Sequence, residues 1–259
     1  MKIHRKVNIK MISLILASMN RTSRVAQILE SWASQEIIGE IIICDWSSNE
    51  ELINNLQIQE IIKKYNKTKI IRIDDQETFN LAKAYNLAYK FTNPNFKFLL
   101  KIDADYLLNN SSIFNLLFSY DLDKFFFGGN RETENGWFVY HGFFFIKKKY
   151  YPSFNENLLA TWGKDDVELY SNIYETYKLQ IIYQIGLPKY IYHIPHSSKL
   201  RYENYKIKNQ FDYIEIQDKS FKKWSPQEYI ILEEKENYIK VKAKDKHENL
   251  LIPKCQIYS

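Results

Sequence analysis

The chain has 259 residues, room for one large domain or one domain with a small appendage. Its hydrophobic share of 45% excludes a wholly disordered chain. A net charge of +5, from 36 basic and 31 acidic residues, mildly favours an anionic ligand such as a nucleotide diphosphate and is too small and dispersed to argue for nucleic acid.

The densest basic run, Lys147-Lys148-Lys149, reads as a solvated edge or loop. Cys44 and Cys255 show no metal-type spacing and suggest no disulfide framework, so a reducing, cytoplasmic setting is expected. No apolar run reaches the ~20 residues that span a bilayer. Basic residues up to Lys10 precede the apolar stretch Met11 to Ala17, a faint likeness to a secretory signal. Asn20-Arg21 follows at once, and the stretch is read as a buried first strand.

In chain order, Ile12 to Ala17 reads as a strand, and Ser23 to Gln35 sets Val25, Ile28, Leu29 and Trp32 at helical spacing. Glu40 to Cys44 is the next strand. Glu50 to Tyr65 is helix-like, Lys69 to Ile73 a third strand, Phe79 to Phe91 a helix and Phe96 to Ile102 a fourth strand. This alternation predicts an α/β fold with a mostly parallel sheet between helices. Beyond Leu108 the rhythm changes. Phe125 to Phe127 and Trp137 to Ile146 read as strands, Asp165 to Tyr177 as a helix and Tyr190 to His193 as a late strand. Tyr229 to Leu232 and Tyr238 to Val241 flank Glu233 to Asn237 as a hairpin. The expected division is a main domain over 1–204 and an extension over 205–259.

In parallel sheets ligands gather at the carboxyl ends of strands. Three polar groups follow strands here: Ser18-Met19-Asn20-Arg21, Asp45-Trp46-Ser47-Ser48 and Asp103-Ala104-Asp105. Alternate residues of an extended segment point to one side, so Asp103 and Asp105 can address one cation, and oxygen ligands suit Mg²⁺ or Mn²⁺. Two Asp one residue apart are common by chance, and the strand-end position is what singles this pair out. Asp45 can accept from a base N–H, while Ser48 with Glu51 equally fits a helix capping box. Trp162-Gly163-Lys164-Asp165-Asp166-Val167-Glu168 puts acids where a helix begins. Helix-dipole preference explains the acids; a general base beside an aromatic sugar platform explains the Trp-Gly as well. His193-Ile194-Pro195-His196 offers a nitrogen ligand and matches no zinc signature.

Taken in order from Ile12 to His196, these segments resemble the nucleotide-sugar glycosyltransferases of the GT-A fold, above all inverting family 2 and its relatives. Ile12 to Arg21 resembles the first strand and its Asn-Arg turn, and Cys44 to Ser48 the turn that holds uracil. Phe79 to Ala88, with Lys83 and Asn86, is similar to the donor-site helix, where an Arg usually stands at Lys83. Lys101 to Tyr106 is similar to the Asp-X-Asp strand end, and Gly142 to Tyr151 to the glycine-led strand with its basic stretch. Phe154-Asn155-Glu156 and Trp162 to Leu169 resemble the Phe-Asp-Glu and Trp-Gly-Gly-Glu-Asp segments of β-1,4-galactosyltransferases and the chondroitin-polymerase type. Trp46 stands where a second Asp is more usual and Lys164-Asp165 where Gly-Glu is common. Lys83 keeps the charge of Arg without its planar fork. These departures blur which sugar is moved.

The resemblance implies a UDP-sugar donor, a glycan acceptor and a Mn²⁺ or Mg²⁺ cofactor. Asp105 would bind the metal, with Asp103 on metal or ribose and His196, or else His193, completing the set. Ser18, Asn20, Arg21, Asp45, Trp46, Ser47, Lys83, Asn86, Asp103 and Ala104 would line the donor site. Asp166 would be the base, with Trp162, Gly163 and Asp165 orienting the acceptor. Two other readings stay open: a sugar nucleotidyltransferase, though Ser18 to Arg21 holds no glycine for a phosphate loop, and a non-catalytic binding protein on the same fold, though its acids are intact.

Overall fold

A computed structural model describes residues 12–129, 142–156, 164–183, 187–195, 199, 203–204 and 226–244. The first half follows the predicted alternation: β1 (Ile12–Ser18), α1 (Thr22–Ala33), β2 (Ile38–Trp46), α2 (Leu56–Tyr65), β3 (Thr68–Ile73), α3 (Leu81–Lys90) and β4 (Phe98–Asp103). Every residue of β1 is buried. That is the fate of a central parallel strand covered on both faces, and it explains the unbroken apolar run. Of the stretch weighed as a secretory signal, Ile12 to Ala17 form part of the middle strand of the sheet, and residues 1–11 lie outside the described residues. Helix α1 turns Val25, Ile28, Leu29 and Trp32 inward, and Trp32 Nε1 donates to Tyr106 O at 2.7 Å.

The helix expected over Glu50 to Tyr65 is divided. A 3-10 turn at Leu52–Asn54 precedes α2, whose N-cap is Asn55, accepting from Ile58 N at 3.2 Å. The Ser48–Glu51 capping box does not form, because the Ser48 hydroxyl accepts instead from Asn20 N at 2.9 Å. Asn66, at φ 45°, ends α2 in the left-handed conformation that Asn tolerates.

After β4 come β5 (Tyr106–Leu108), α4 (Ile113–Leu117), β6 (Phe125–Phe127), β7 (Phe143–Lys147), α5 (Lys164–Tyr177), β8 (Gln180–Ile182), β9 (Ile191–His193), β10 (Tyr229–Lys235) and β11 (Tyr238–Ala243). β7 takes up the end of the strand expected over Trp137 to Ile146, of which 137–141 lie outside the described residues. The expected hairpin forms, and β11 lies parallel to β3. The main sheet runs β10-β11-β3-β2-β1-β4-β7-β6-β8, with β5 and β9 in a separate pair. One core layer packs α1 and α2 on the sheet, and a second packs α3 and α5 on the other face. Among the described residues no helix is long and apolar enough to cross a membrane.

The topology fixes where a ligand belongs. The chain builds outward from β1 to β2 and β3, then returns to lay β4 on the other side of β1. This reversal opens a crevice at the carboxyl ends of the strands. Register sets Ser18 beside Asp45 and Ala17 beside Asp103, so residues far apart in sequence share one sheet edge.

Candidate active site

The turn after β1 is tied at several points. Asn20 stands at φ 56°, its Oδ1 accepts from Asn49 N at 2.8 Å, and its Nδ2 donates to Asn204 Oδ1 at 3.1 Å. Asn204 in turn donates to Met19 O at 2.7 Å. The Ser18 hydroxyl is buried with no hydrogen-bond partner among the described residues. Arg21 precedes α1 and reaches across the crevice to Asp105, Nη1 to Oδ2 at 2.8 Å.

Asp45 lies within β2, fully buried. Its Oδ1 accepts from Ser48 N at 3.3 Å and its Oδ2 from Leu52 N at 3.0 Å. Arg72 Nη1 sits 3.0 Å from the same Oδ2. Burial raises the Asp45 pKa, with Ser48 and Arg72 opposing. Trp46 is also buried, donating from Nε1 to Thr78 O at 2.9 Å. Ser47, at φ 52°, donates to Ile73 O at 3.0 Å and accepts from Gln76 N at 2.8 Å.

On α3, Lys83 is partly exposed, and its backbone N–H donates to the N-cap Asn80 at 2.9 Å. Asn86 is engaged through its whole amide: Nδ2 donates to Phe154 O at 2.8 Å and to Glu156 Oε1 at 2.9 Å, and Oδ1 accepts from Phe154 N at 2.8 Å. Glu156 Oε2 accepts from Gln227 N at 2.7 Å. Asn86 thus fastens α3 to the Phe154-Asn155-Glu156 segment, which is fastened in turn to the start of the C-terminal hairpin.

Asp103 and Asp105 depart from the expected geometry. Asp103 ends β4, Ala104 and Asp105 form a turn, and β5 begins at Tyr106, so the two carboxylates do not alternate along one strand. The Asp103 Oδ1 lies 2.8 Å from Tyr85 Oη and 3.3 Å from Lys101 Nζ. Asp105 faces Arg21 and, at 3.7 Å, His193 Nε2. Ile194 N donates to Asp105 O at 2.8 Å and Arg24 Nη2 to Pro195 O at 2.9 Å, which holds the His193-Ile194-Pro195 segment beside the turn. Among the described residues no trio of His, Cys, Asp or Glu closes on one point. His196, Trp162 and Gly163 lie outside the described residues.

Asp165 and Asp166 open α5, both buried. Asp165 Oδ1 accepts from Asp166 N at 3.0 Å. Asp166 Oδ1 lies 3.2 Å from Lys101 Nζ. Burial raises both aspartates. The Asp166 charge adds to the rise at Asp165, while Lys101 opposes the rise at Asp166. Burial works against the charge of Lys101, but Asp103, then Asp166 and Asp165, outweigh it and hold its pKa above the ordinary lysine value.

Sequence reasoning missed Arg72, Lys101, Tyr85 and Asn204. The first two carried a signal: each is a cation set among apolar residues of a strand, Arg72 between Ile71 and Ile73 and Lys101 between Leu100 and Ile102, a placement that needs a partner. Nothing in the sequence marks Asn204.

No protein-family model matches the chain, and no curated protein does. Solved structures do. Drosophila β1,4-galactosyltransferase 7, as a mutant in complex with manganese, UDP-Gal and xylobiose, matches with a TM-score of 0.62 at 15% identity, over 93% of this chain and 97% of that one. TarS of S. aureus in complex with UDP-GlcNAc matches with a TM-score of 0.53 at 15% identity, over 80% and 64%. A Pyrobaculum calidifontis mannosyltransferase in complex with GDP-Man and Mn²⁺ matches with a TM-score of 0.54 at 14% identity, over 68% and 55%. The chain therefore has the GT-A fold, the architecture shared by these glycosyltransferases.

Proposed function

We propose that the protein is a metal-dependent inverting glycosyltransferase that moves a hexose or N-acetylhexosamine from a UDP-sugar to a glycan hydroxyl. The observation that carries this reading is the meeting of Asp103, from the end of β4, and Asp166, from the start of α5, on the ammonium of Lys101. Donor-side and acceptor-side acids come together at the sheet edge where the GT-A fold gathers ligands. The occupants of the Drosophila neighbour, manganese, UDP-Gal and xylobiose, supply the classes of cofactor, donor and acceptor.

By the chemistry of their atoms, and as a pair rather than as a closed set of three, Asp105 and His193 suit a hard divalent cation. Asp105 and His193 offer oxygen and nitrogen atoms 3.7 Å apart, a span that two ligands of one ion can share, and Asp103 is the third candidate. His196 stands three residues beyond His193. Bound there, Mn²⁺ or Mg²⁺ would offset the negative charge of the diphosphate.

The chain's own residues do the rest. Asp45 fixes the base subsite, holding Arg72 and the backbone at Ser48 and Leu52. The Ser18 hydroxyl, which has no hydrogen-bond partner among the described residues, serves ribose and phosphate together with Asn20, Ser47 and Lys83. Asp166 takes the proton of the acceptor hydroxyl as that oxygen bonds to the anomeric carbon. The bond from this carbon to the diphosphate oxygen breaks on the opposite face, and UDP leaves with the electron pair. Asp165, Trp162 and Gly163 orient the acceptor.

The test is UDP release from a panel of UDP-sugars with Mn²⁺, with and without oligosaccharide acceptors. Acceptor-dependent UDP release supports the reading. Binding of UDP without any turnover favours a non-catalytic protein on this fold.

A further inference from the structure

We propose that Lys101 is the positioning residue of this site, its buried ammonium pinning the Asp166 and Asp103 carboxylates to one point and so setting the acceptor side against the donor side. The inference rests on the transferase reading and adds to it a residue that does not touch substrate.

Lys101 occupies the middle of β4, where its neighbours Leu99, Leu100 and Ile102 are all fully buried. Its side chain is 1% exposed. A lysine in such a place costs folding free energy unless its charge is matched. Among the described residues it is matched by Asp166 Oδ1 at 3.2 Å and Asp103 Oδ1 at 3.3 Å. The ring faces of Tyr85 and Phe154, with centroids 4.8 and 5.9 Å from Nζ, pack around the ammonium. Tyr85 Oη meets the same Asp103 oxygen, so that carboxylate is gripped by two groups.

The charges explain the arrangement. Two carboxylates brought together in a poorly solvated place repel, and a cation between them turns the repulsion into attraction on both sides. An ammonium has three donors around a compact charge and can serve two acceptors arriving from different elements. A guanidinium is a larger planar fork whose donors are fixed in one plane. The strand thus carries Lys where the general pattern of a buried strand calls for Val or Ile.

The test compares the full chain with Lys101→Met, which keeps the stem and loses the charge, and with Lys101→Arg. Crystal structures report the separation of the Asp103 and Asp166 carboxylates, and kinetics report transfer. Lys101→Met is expected to widen that separation by releasing Asp166, while Tyr85 still holds Asp103, and so to lower kcat about 100-fold with UDP affinity held within about threefold, since a positioned base is worth about 10² to 10⁴ in rate. Lys101→Arg is expected to recover part of the loss. A Met variant with wild-type kcat, or with its carboxylates unmoved, overturns the proposal. If the Met variant does not fold, Lys101→Gln, which keeps a polar end without the charge, takes its place under the same criteria. If the wild-type chain transfers no sugar, the transferase reading falls, and the crystallographic comparison still decides the role of Lys101.

Discussion

Arg21 and Asp105 close on each other across 84 residues of chain, Nη1 to Oδ2 at 2.8 Å. The pair joins the turn after β1 to the turn after β4, and the Asp105 side chain is only 5% exposed. A guanidinium there neutralises the carboxylate that is the leading candidate for a divalent ion, so ion and arginine compete for one oxygen. Asp105→Ala removes the contested group. The expected outcome is UDP binding that no longer responds to Mn²⁺, measured by titration calorimetry with and without the ion. A variant that keeps the wild-type response to Mn²⁺ rules Asp105 out as a ligand.

Asp166→Asn tests the proposed base directly. The amide keeps the shape of the side chain and its link to Lys101 and cannot take a proton from the acceptor. Transfer is expected to fall by about 10² to 10⁴, while the affinity for UDP, whose proposed site is on the β1, β2 and β4 side of the crevice, stays near wild type. Near-normal turnover by this variant moves the base elsewhere.

The buried acids also predict a conflict between activity and stability. Burial raises the Asp166 pKa, and a base must be ionised to act, so kcat/KM should fall as pH drops through this raised value, at a higher pH than an exposed aspartate would give. The sign is opposite for folding. An aspartate whose folded pKa is raised binds its proton more tightly in the native state. Its stabilising contribution is complete below the unfolded value and is lost as pH rises through the folded one. Asp165 is raised as well, by burial and then by Asp166. Asp165→Asn, neutral at every pH, should therefore raise Tm in mildly alkaline buffer, by about 2 to 4 °C for each kcal/mol regained, with little effect in acid. An equal change in Tm at both pH values would show that the Asp165 charge carries no such cost.

The order β1-α1-β2-α2-β3-α3-β4 was legible because each strand is an apolar run buried on both faces and each helix shows one apolar stripe. The strand ends that carry Ser18, Asp45 and Asp103 were legible for the same reason. What escaped was either short or relational. β5, β8 and α4 span three to five residues, too few for a period to show. The turn at Ala104-Asp105 breaks the alternation that would aim both carboxylates one way, since Tyr106 starts a new strand paired with β9. Ser48 lost its capping role to Asn55 because the Asn20 amide claimed its hydroxyl. Lys101 and Arg72 stood in the sequence as breaks in apolar runs. Their meaning depended on Asp166 and Asp45, and only the folded chain brings these within reach.

Gly142 makes the last prediction. It precedes β7, and its carbonyl accepts from Asp103 N at 3.0 Å, which leaves the backbone hard against the end of β4. A Cβ built there would lie 2.6 Å from Asp103 Oδ2 and closer still to the Tyr106 ring. The Tyr106 ring is buried and packs edge-on against His193 at 5.4 Å between centroids, which leaves it little room to retreat. The softer neighbour is the Asp103 carboxylate, 35% exposed. Gly142→Ala should therefore push Asp103 off Lys101 and Tyr85, with an overpacking cost of about 1 to 3 kcal/mol. The expected signature is a modest drop in Tm together with a disproportionate loss of turnover and weaker donor binding. If Tm falls while turnover per folded molecule is unchanged, the close approach of Gly142 serves packing alone and the placement of Asp103 does not depend on it.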